Sequence, residues 1–369
     1  MLSATQHAAV TSDAARPLQI LAGPGSGKTR VLTSRVAWLV RDCATPIAPE
    51  RCVVVTFTNR AANEMRARLE AMIGADRTRR LVLGTFHAVC VRFLRRWGAR
   101  CLGLDPRFTI ADTDDARRLL RDVDRDADAA LSAISRAKAH GWTPDELRAS
   151  GTHAPGSPGH AEHLALCRTY AAYQQQLRAS HALDFDDLLL LGVRLFREHP
   201  ELTAHIDHVL VDEFQDTNAV QYELLRRLSP HVSVVGDPDQ SIYSWRHADM
   251  RHIERMHLDF PGLHRVLLEE NYRSTPQILD AALSVMQQDP LRIPKGLYTA
   301  LASGPPVIVR ACHDADDEAL FVARDIRQRA RTTPYAHMSV LLRTTAHSRP
   351  FESIFHRLNI PYRLSLIHI

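Results

Sequence analysis

Glycines that let the backbone turn inward, followed by a lysine and a threonine, make an anion cradle. The stretch AGPGSGKTR at 22–30 has that form. In such a loop the backbone N–H groups of Gly23, Pro24 to Ser26 and Gly27 surround an anion, apart from the proline, which has none. The following helix adds the positive end of its dipole. Lys28 is placed to reach outer phosphates, and the Thr29 hydroxyl to meet Mg²⁺. The strict pattern asks for glycine where Ala22 stands, and alanine is small enough to be tolerated there. A compact ammonium with rotatable donors suits this position, and the chain reserves one for it. Only Lys28, Lys138 and Lys295 are lysines among 46 basic residues.

A phosphate loop needs a metal carboxylate. The segment HVLVDEF at 208–214 supplies an apolar run ending in Asp212 and Glu213. Carboxylates at the C-terminal end of a parallel strand sit beside a phosphate loop. Asp212 is expected to hold Mg²⁺ through water and Glu213 to polarise an attacking water. Either acid alone reads equally as an ordinary acid at a helix N-terminus; the pair, with the loop upstream, argues for chemistry. Further on, SIYSWR gathers Tyr243, Trp245 and Arg246 within four residues. That composition suits base stacking on single-stranded nucleic acid, and equally suits a core strand, since Trp is usually buried.

These residues need a scaffold. Apolar, β-branched runs at 18–23, 52–58, 81–86, 208–214 and 232–237 read as buried strands of a parallel sheet covered on both faces. Helical patterns at 30–41, 60–73, 88–100 and 219–228 alternate with them, which is the α/β doubly wound signature. From about 102 to 182 only helices are expected, at 112–125, 127–140, 143–149 and 161–181, with a loop at 150–160. After Pro276 a second α/β set is expected: helices at 277–288, 316–331 and 348–358, and strands at 306–311 and 338–343.

Composition limits the alternatives. A length of 369 residues allows more than one core. The six cysteines show no CxxC spacing, which argues against zinc, an iron–sulfur cluster and a disulfide framework and fits a reducing cytoplasm. No HExxH occurs, no apolar run approaches a membrane span, and the N-terminus lacks a secretion-signal pattern. Net charge is +4, but residues 60–100 hold ten arginines against three acids, net +7. Such a patch suits a polyanion or is a solvated helix face.

In order, AGPGSGKT, VVVTFTNRAANEM, GTFHAVC, LDFDDLLLL, VLVDEFQDTN, VVGDPDQSIYSWRHAD and LEENYRST resemble the motifs of the UvrD/Rep/PcrA group of superfamily 1 DNA helicases. The resemblance runs from about residue 2 to 363. It implies a P-loop, RecA-like parallel-sheet domain in two parts, 1–101 and 184–275. A helical subdomain at 102–183 interrupts it, and 276–369 begins a second, incomplete RecA-like domain. By resemblance, Gln6 reads adenine, Arg30 and Tyr272 line or stack on it, and Gln240 senses the γ-phosphate. Gln215 lies beside the metal carboxylates, and Arg273 acts as an arginine finger. Phe57, Thr58, Asn59, Phe86 and His87 are similar to positions that touch DNA, which favours the polyanion reading of the arginine-rich stretch.

What the resemblance implies is ATP- and Mg²⁺-dependent 3′→5′ movement on single-stranded DNA or at single/double-strand junctions. It implies a cytoplasmic, nucleoid-associated protein with repair or replication proteins as partners and no membrane. Relatives are longer, and LSLIHI at the C-terminus is unlike their continuation, so an N-terminal portion of such a helicase with weak nucleotide binding and little ATPase is expected. Thr345 stands where the family more often has Asn. The alternatives are a DNA-binding ATPase remnant that does not unwind, and a small-molecule kinase, which gives no reason for DEFQD or QSIYSWR. A helicase–nuclease fusion finds no nuclease motif in these residues.

Overall fold

The computed structural model describes residues 2–151, 157–242, 249–289 and 292–364. The strands are β1 (Leu18–Ala22), β2 (Cys52–Thr56), β3 (Val82–Thr85), β4 (Thr109–Ala111), β5 (Ala182–Asp184), β6 (His208–Val211), β7 (Val232–Gly236) and β8 (His264–Leu268). The first ten helices are α1 (Ala4–Val10), α2 (Lys28–Ala37), α3 (Asn59–Ile73), α4 (Ala75–Arg80), α5 (Phe86–Leu102), α6 (Thr113–Arg121), α7 (Ala127–Ala139), α8 (Pro144–Ala149), α9 (Pro158–Ala179) and α10 (Phe185–Glu198). Then come α11 (Ala219–Leu228), α12 (Arg251–Asp259), α13 (Pro276–Met286), α14 (Ala315–Arg329) and α15 (Ser348–Arg357). The chain divides into two compact units, Met1–Gly304 and Pro305–Ile369.

In the first unit six parallel strands run in the order β3-β2-β6-β7-β1-β8. The fold class is α/β, as expected. Alternate residues of each strand feed two cores because successive side chains leave opposite faces. Val53, Val55, Val209 and Val211 pack with α5, α10, α11 and α12 on one face. Leu18, Ile20, Val54 and Leu210 pack with α1, α2 and α3 on the other. β1, β2, β6 and β7 are therefore buried on both faces, and the C-terminal ends of the parallel strands lie along one edge where the loops can meet.

Two elements depart from the expectation of helices alone at 102–182. β4 and β5 pair in parallel, Thr109 to Ala182 through Ala111 to Asp184, and close the two ends of the helical segment on each other. Three-residue strands leave no periodicity to read. Beyond them α6, α7, α8 and α9 share their own core around Leu120, Ile134, Tyr170 and Tyr173. Lys138 is buried there against Asp184 (2.6 Å) and Asp187 (2.8 Å), which lie at the start of α10. β8 is also unanticipated; two of its five positions, Arg265 and Leu267, are exposed, as befits the sheet edge.

In the second unit, α14 packs on α15 through Ala319, Ala323, Phe351, Ile354 and Phe355. The strands expected at 306–311 and 338–343 are not formed. A strand exists by exchanging hydrogen bonds with a neighbour, and none lies beside these segments among the described residues; Val309 and Leu341 are each 93% exposed. Among the described residues no helix is long and apolar enough to cross a membrane.

One buried polar group anchors the site's scaffold. Arg35 of α2 is fully buried. It donates to the carbonyls of Ala9 (3.3 Å), Val10 (3.0 Å) and Ser12 (2.8 Å), and to Ser233 Oγ (2.7 Å). It thereby caps the C-terminal carbonyls of α1, and burial pushes its pKa down to about 10. Replacing Arg35 by methionine leaves those carbonyls without a donor, and the expected loss is about 3–5 kcal/mol by denaturant unfolding. Lysine does not restore it, since one nitrogen cannot span the four acceptors. A loss under about 1 kcal/mol would reject the anchor role.

Candidate active site

The loop 23–27 leaves β1 and enters α2 with its carbonyls hydrogen-bonded. Gly23 O accepts from Ser26 Oγ (2.7 Å), Pro24 O from Asn271 Nδ2 (2.6 Å), Gly25 O from the Tyr272 amide (3.0 Å) and Ser26 O from Gln6 Nε2 (2.9 Å). Four consecutive carbonyls are thus satisfied by protein; the Gly23 amide is taken by Leu268 O (2.9 Å) and the Ser26 amide by Gly23 O (3.4 Å), so among the loop residues Gly25 and Gly27 keep the amides that an anion nest would use. Gly25 (φ +65°) and Gly27 (φ +84°) adopt left-handed backbone. A Cβ on Gly25 would lie 2.7 Å from the Arg273 Cβ, and one on Gly27 would lie 2.9 Å from Gln6 Nε2. No side chain caps the N-terminus of α2, so its dipole end and free amides face the same space. Ala22 is the last residue of β1 and is buried, which is why alanine serves there.

β6 delivers the acids. The Asp212 amide still donates to Val55 O (2.9 Å), and the chain then bends sharply at Glu213, which is left-handed at φ +50°. A non-glycine residue held there costs about 1–2 kcal/mol, and such strain gathers at functional sites. Glu213 Oε2 pairs with Lys28 Nζ at 3.1 Å. Gln215 donates to Glu213 Oε2 (2.9 Å) and Asp216 Oδ2 (3.2 Å), while its Oε1 accepts from the Asp237 amide (2.9 Å). One amide side chain therefore ties the end of β6 to the end of β7.

Burial, with Glu213 beside it and against the pull of Lys28, pushes Asp212 up to about 7; Asp216 is pushed up to about 7 by the same burial and the same neighbour. Asp216 Oδ1 is buried without a partner. Among the described residues no three His, Cys, Asp or Glu side chains are arranged to hold a metal unaided. A hydroxyl at Thr29, a carboxylate at Asp212 and a shortage of positive charge fit Mg²⁺, which takes one or two protein oxygens and draws the rest from phosphate and water. A carboxylate whose folded pKa is raised takes up a proton on folding, so stability falls as pH rises from about 4 to about 7. Thermal unfolding of the ligand-free protein across that window is expected to show the fall, and Asp212→Asn to flatten it; an unchanged slope in the variant rejects burial of Asp212 as its cause.

On the far side of the loop, Gln240 Nε2 donates to Asp237 Oδ2 (2.5 Å). Tyr272 is exposed and Arg273 follows it; both stand beside the glycine loop because Asn271 accepts from the amides of Arg273 (2.8 Å) and Ser274 (2.7 Å). Gln6 is buried in the first turn of α1. Its Oε1 accepts from the Ser3 amide (3.0 Å), leaving one N–H and one lone pair uncommitted. Arg30 is exposed on α2. Sequence reasoning missed Asn271 as the clasp of the loop, and missed Lys295, buried against Asp237 and Asp239. The rarity of lysine was the available signal: all three lysines meet carboxylates in sheltered positions.

The remaining candidates lie along the same end of the sheet. Phe57 is half-buried after β2, Thr58 caps α3 by accepting from the Ala61 amide (3.1 Å), and Asn59 is exposed. His87 meets the exposed ring of Phe185 edge-on at 5.8 Å, an aromatic pair that the sequence reading did not single out. Phe86 is a correction: its ring is 4% exposed and packs in the core as α5 begins, so it supports the helix and presents no stacking face. Tyr243, Trp245 and Arg246 lie outside the described residues.

Comparison with known proteins agrees with this geometry. Residues 2–261 match the UvrD/REP helicase N-terminal domain and residues 266–366 the UvrD-like helicase C-terminal domain. The chain is 40% identical over 366 residues to the ATP-dependent DNA helicase PcrA of Leuconostoc citreum, covering 94% of this chain and 48% of that protein. It is 39% identical over 365 residues to PcrA of Staphylococcus aureus (94% and 48%) and 38% identical over 365 residues to PcrA of Staphylococcus epidermidis (94% and 49%). The chain spans about half the length of the curated relatives it matches.

Proposed function

Because this chain belongs to the UvrD/REP helicase family, we propose that it carries the nucleotide site of an ATP-dependent DNA helicase and belongs to the N-terminal portion of a 3′→5′ translocase. The observation that carries the reading is the loop itself: four carbonyls satisfied by protein and Lys28 held at 3.1 Å from Glu213 beside Asp212.

In this reading the loop amides and Lys28 bind the β- and γ-phosphates of ATP. Mg²⁺, when bound at Thr29 and Asp212, offsets phosphate charge. Glu213 accepts a proton from the attacking water, and Gln240 meets the γ-phosphate. Arg273 spreads positive charge over the transferring phosphoryl group. Gln6, Arg30 and Tyr272 face the adenine side. The ligand-free Lys28–Glu213 pair adds a step: phosphate must take Lys28 from Glu213, and that exchange frees the base only when substrate is present.

Single-stranded DNA would cross the C-terminal edge of the sheet at Phe57, Thr58, Asn59 and His87, with Phe185 as a further ring; Tyr243, Trp245 and Arg246, outside the described residues, are proposed to bind it as well. Residues 1–101 and 184–275 would form the first RecA-like domain, 102–183 its helical insertion and 276–369 the start of the second. The setting proposed is cytoplasmic and nucleoid-associated, with repair or replication proteins as partners.

Calorimetric titration with ATP and Mg²⁺, and anisotropy with labelled oligothymidylate, test both ligands on this chain. Phosphate release and strand displacement on 3′-tailed against 5′-tailed duplexes, measured on the full product of its reading frame, test the motor and its polarity. Binding of neither ligand rejects the reading, and displacement of 5′-tailed duplexes alone rejects the direction.

A further inference from the structure

The segment 292–298 straps the site together from a distance in sequence. The Leu297 side chain packs over Gly23, where an added Cβ would come within 2.3 Å of it. The Gly296 amide donates to Glu269 Oε1 (2.6 Å), and Tyr298 exchanges backbone bonds with Glu269 (3.1 Å) and Asn271 (2.7 Å). Between these contacts, the side chain of Lys295 is 0% exposed. It reaches Asp237 Oδ1 at 2.5 Å and Asp239 Oδ2 at 3.1 Å. Arg292 neutralises Asp239 from the other side at 3.0 Å.

Asp237 is equally buried, and its carboxylate is divided: Oδ1 takes Lys295, and Oδ2 takes Gln240 Nε2. The Asp239 amide also donates to Oδ1 (3.2 Å), but Lys295 is the cation that holds it. Without Lys295 the carboxylate would be free to turn, and Gln240 would lose the acceptor that sets its amide. We infer that Lys295 is a positioning residue for the γ-phosphate: through Asp237 it holds Gln240 in the orientation that distinguishes ATP from ADP. The inference rests on the proposed role of Gln240 and extends it to a residue that reaches no nucleotide itself.

The test is the ratio of ATP to ADP affinity, measured calorimetrically with Mg²⁺ in a Glu213→Gln background so that ATP persists. One hydrogen bond to a charged oxygen sets the scale, so Gln240→Ala and Lys295→Gln should each lower the ratio by about tenfold, with ADP affinity unchanged within about twofold. Combining them should add nothing, since one acts through the other. Arg292→Gln, which removes a neighbouring ion pair without touching Asp237, should leave the ratio as it was. A purely structural lysine would weaken ADP and ATP together, and that result overturns the inference. So does a ratio that Gln240→Ala moves and Lys295→Gln does not; a ratio that Gln240→Ala leaves unmoved overturns the γ-phosphate reading and the inference with it. Should Lys295→Gln fail to fold, Asp237→Asn reads the same link, and an unchanged ratio there overturns it.

Discussion

Lys28→Ala is expected to weaken ATP binding by about 100-fold, or about 2.7 kcal/mol, in a calorimetric titration with Mg²⁺. The side chain is the cation that the loop itself supplies, and its surroundings are sheltered. Removing it costs twice over. The phosphates lose a charge-assisted partner, and Glu213 is left as an uncompensated negative charge facing the same space. The second loss can be separated from the first. Lys28→Ala combined with Glu213→Gln should recover part of the affinity, because the 3.1 Å pair couples the two positions. ATP affinity that Lys28→Ala leaves within about threefold of the parent would reject the loop as the phosphate site.

How much of this could be read beforehand depends on how far apart in the chain the partners lie. The glycine loop and the Asp212–Glu213 pair are local patterns, each complete within a few residues, and five strands of the sheet announce themselves by apolar runs buried on both faces. β8 does not, because at the edge of the sheet it alternates. The runs at 306–311 and 338–343 have the composition of strands but no ladder, which composition cannot supply. Phe86 shows the same gap for side chains: a motif places the residue, and only packing decides which way the ring points. Asn271 holds Pro24 across 247 positions, and Lys295 holds Asp237 across 58. Tertiary clasps of that kind leave no periodicity, and only the near-absence of lysine from an arginine-rich chain marked one of them out.

Glu213→Gln is expected to separate binding from turnover. As the proposed base it stands with Lys28 beside it and Gln215 holding the same oxygen. The amide keeps the size and can still accept from Gln215, but it cannot take up a proton at neutral pH. Phosphate release on the full product of the reading frame should therefore fall by about 10²–10⁴-fold. ATP affinity should rise, since Lys28 no longer has a carboxylate to leave. Stability should change little: the left-handed backbone at this position is set by the turn after β6, and glutamine tolerates it no worse than glutamate. The two readouts move in opposite directions only if the ligand-free pair is a competitor for phosphate. Slower turnover with weaker binding would show instead that Glu213 acts through the fold of the loop, and Asp216, with its unpartnered buried oxygen, would then be the acid to test as base.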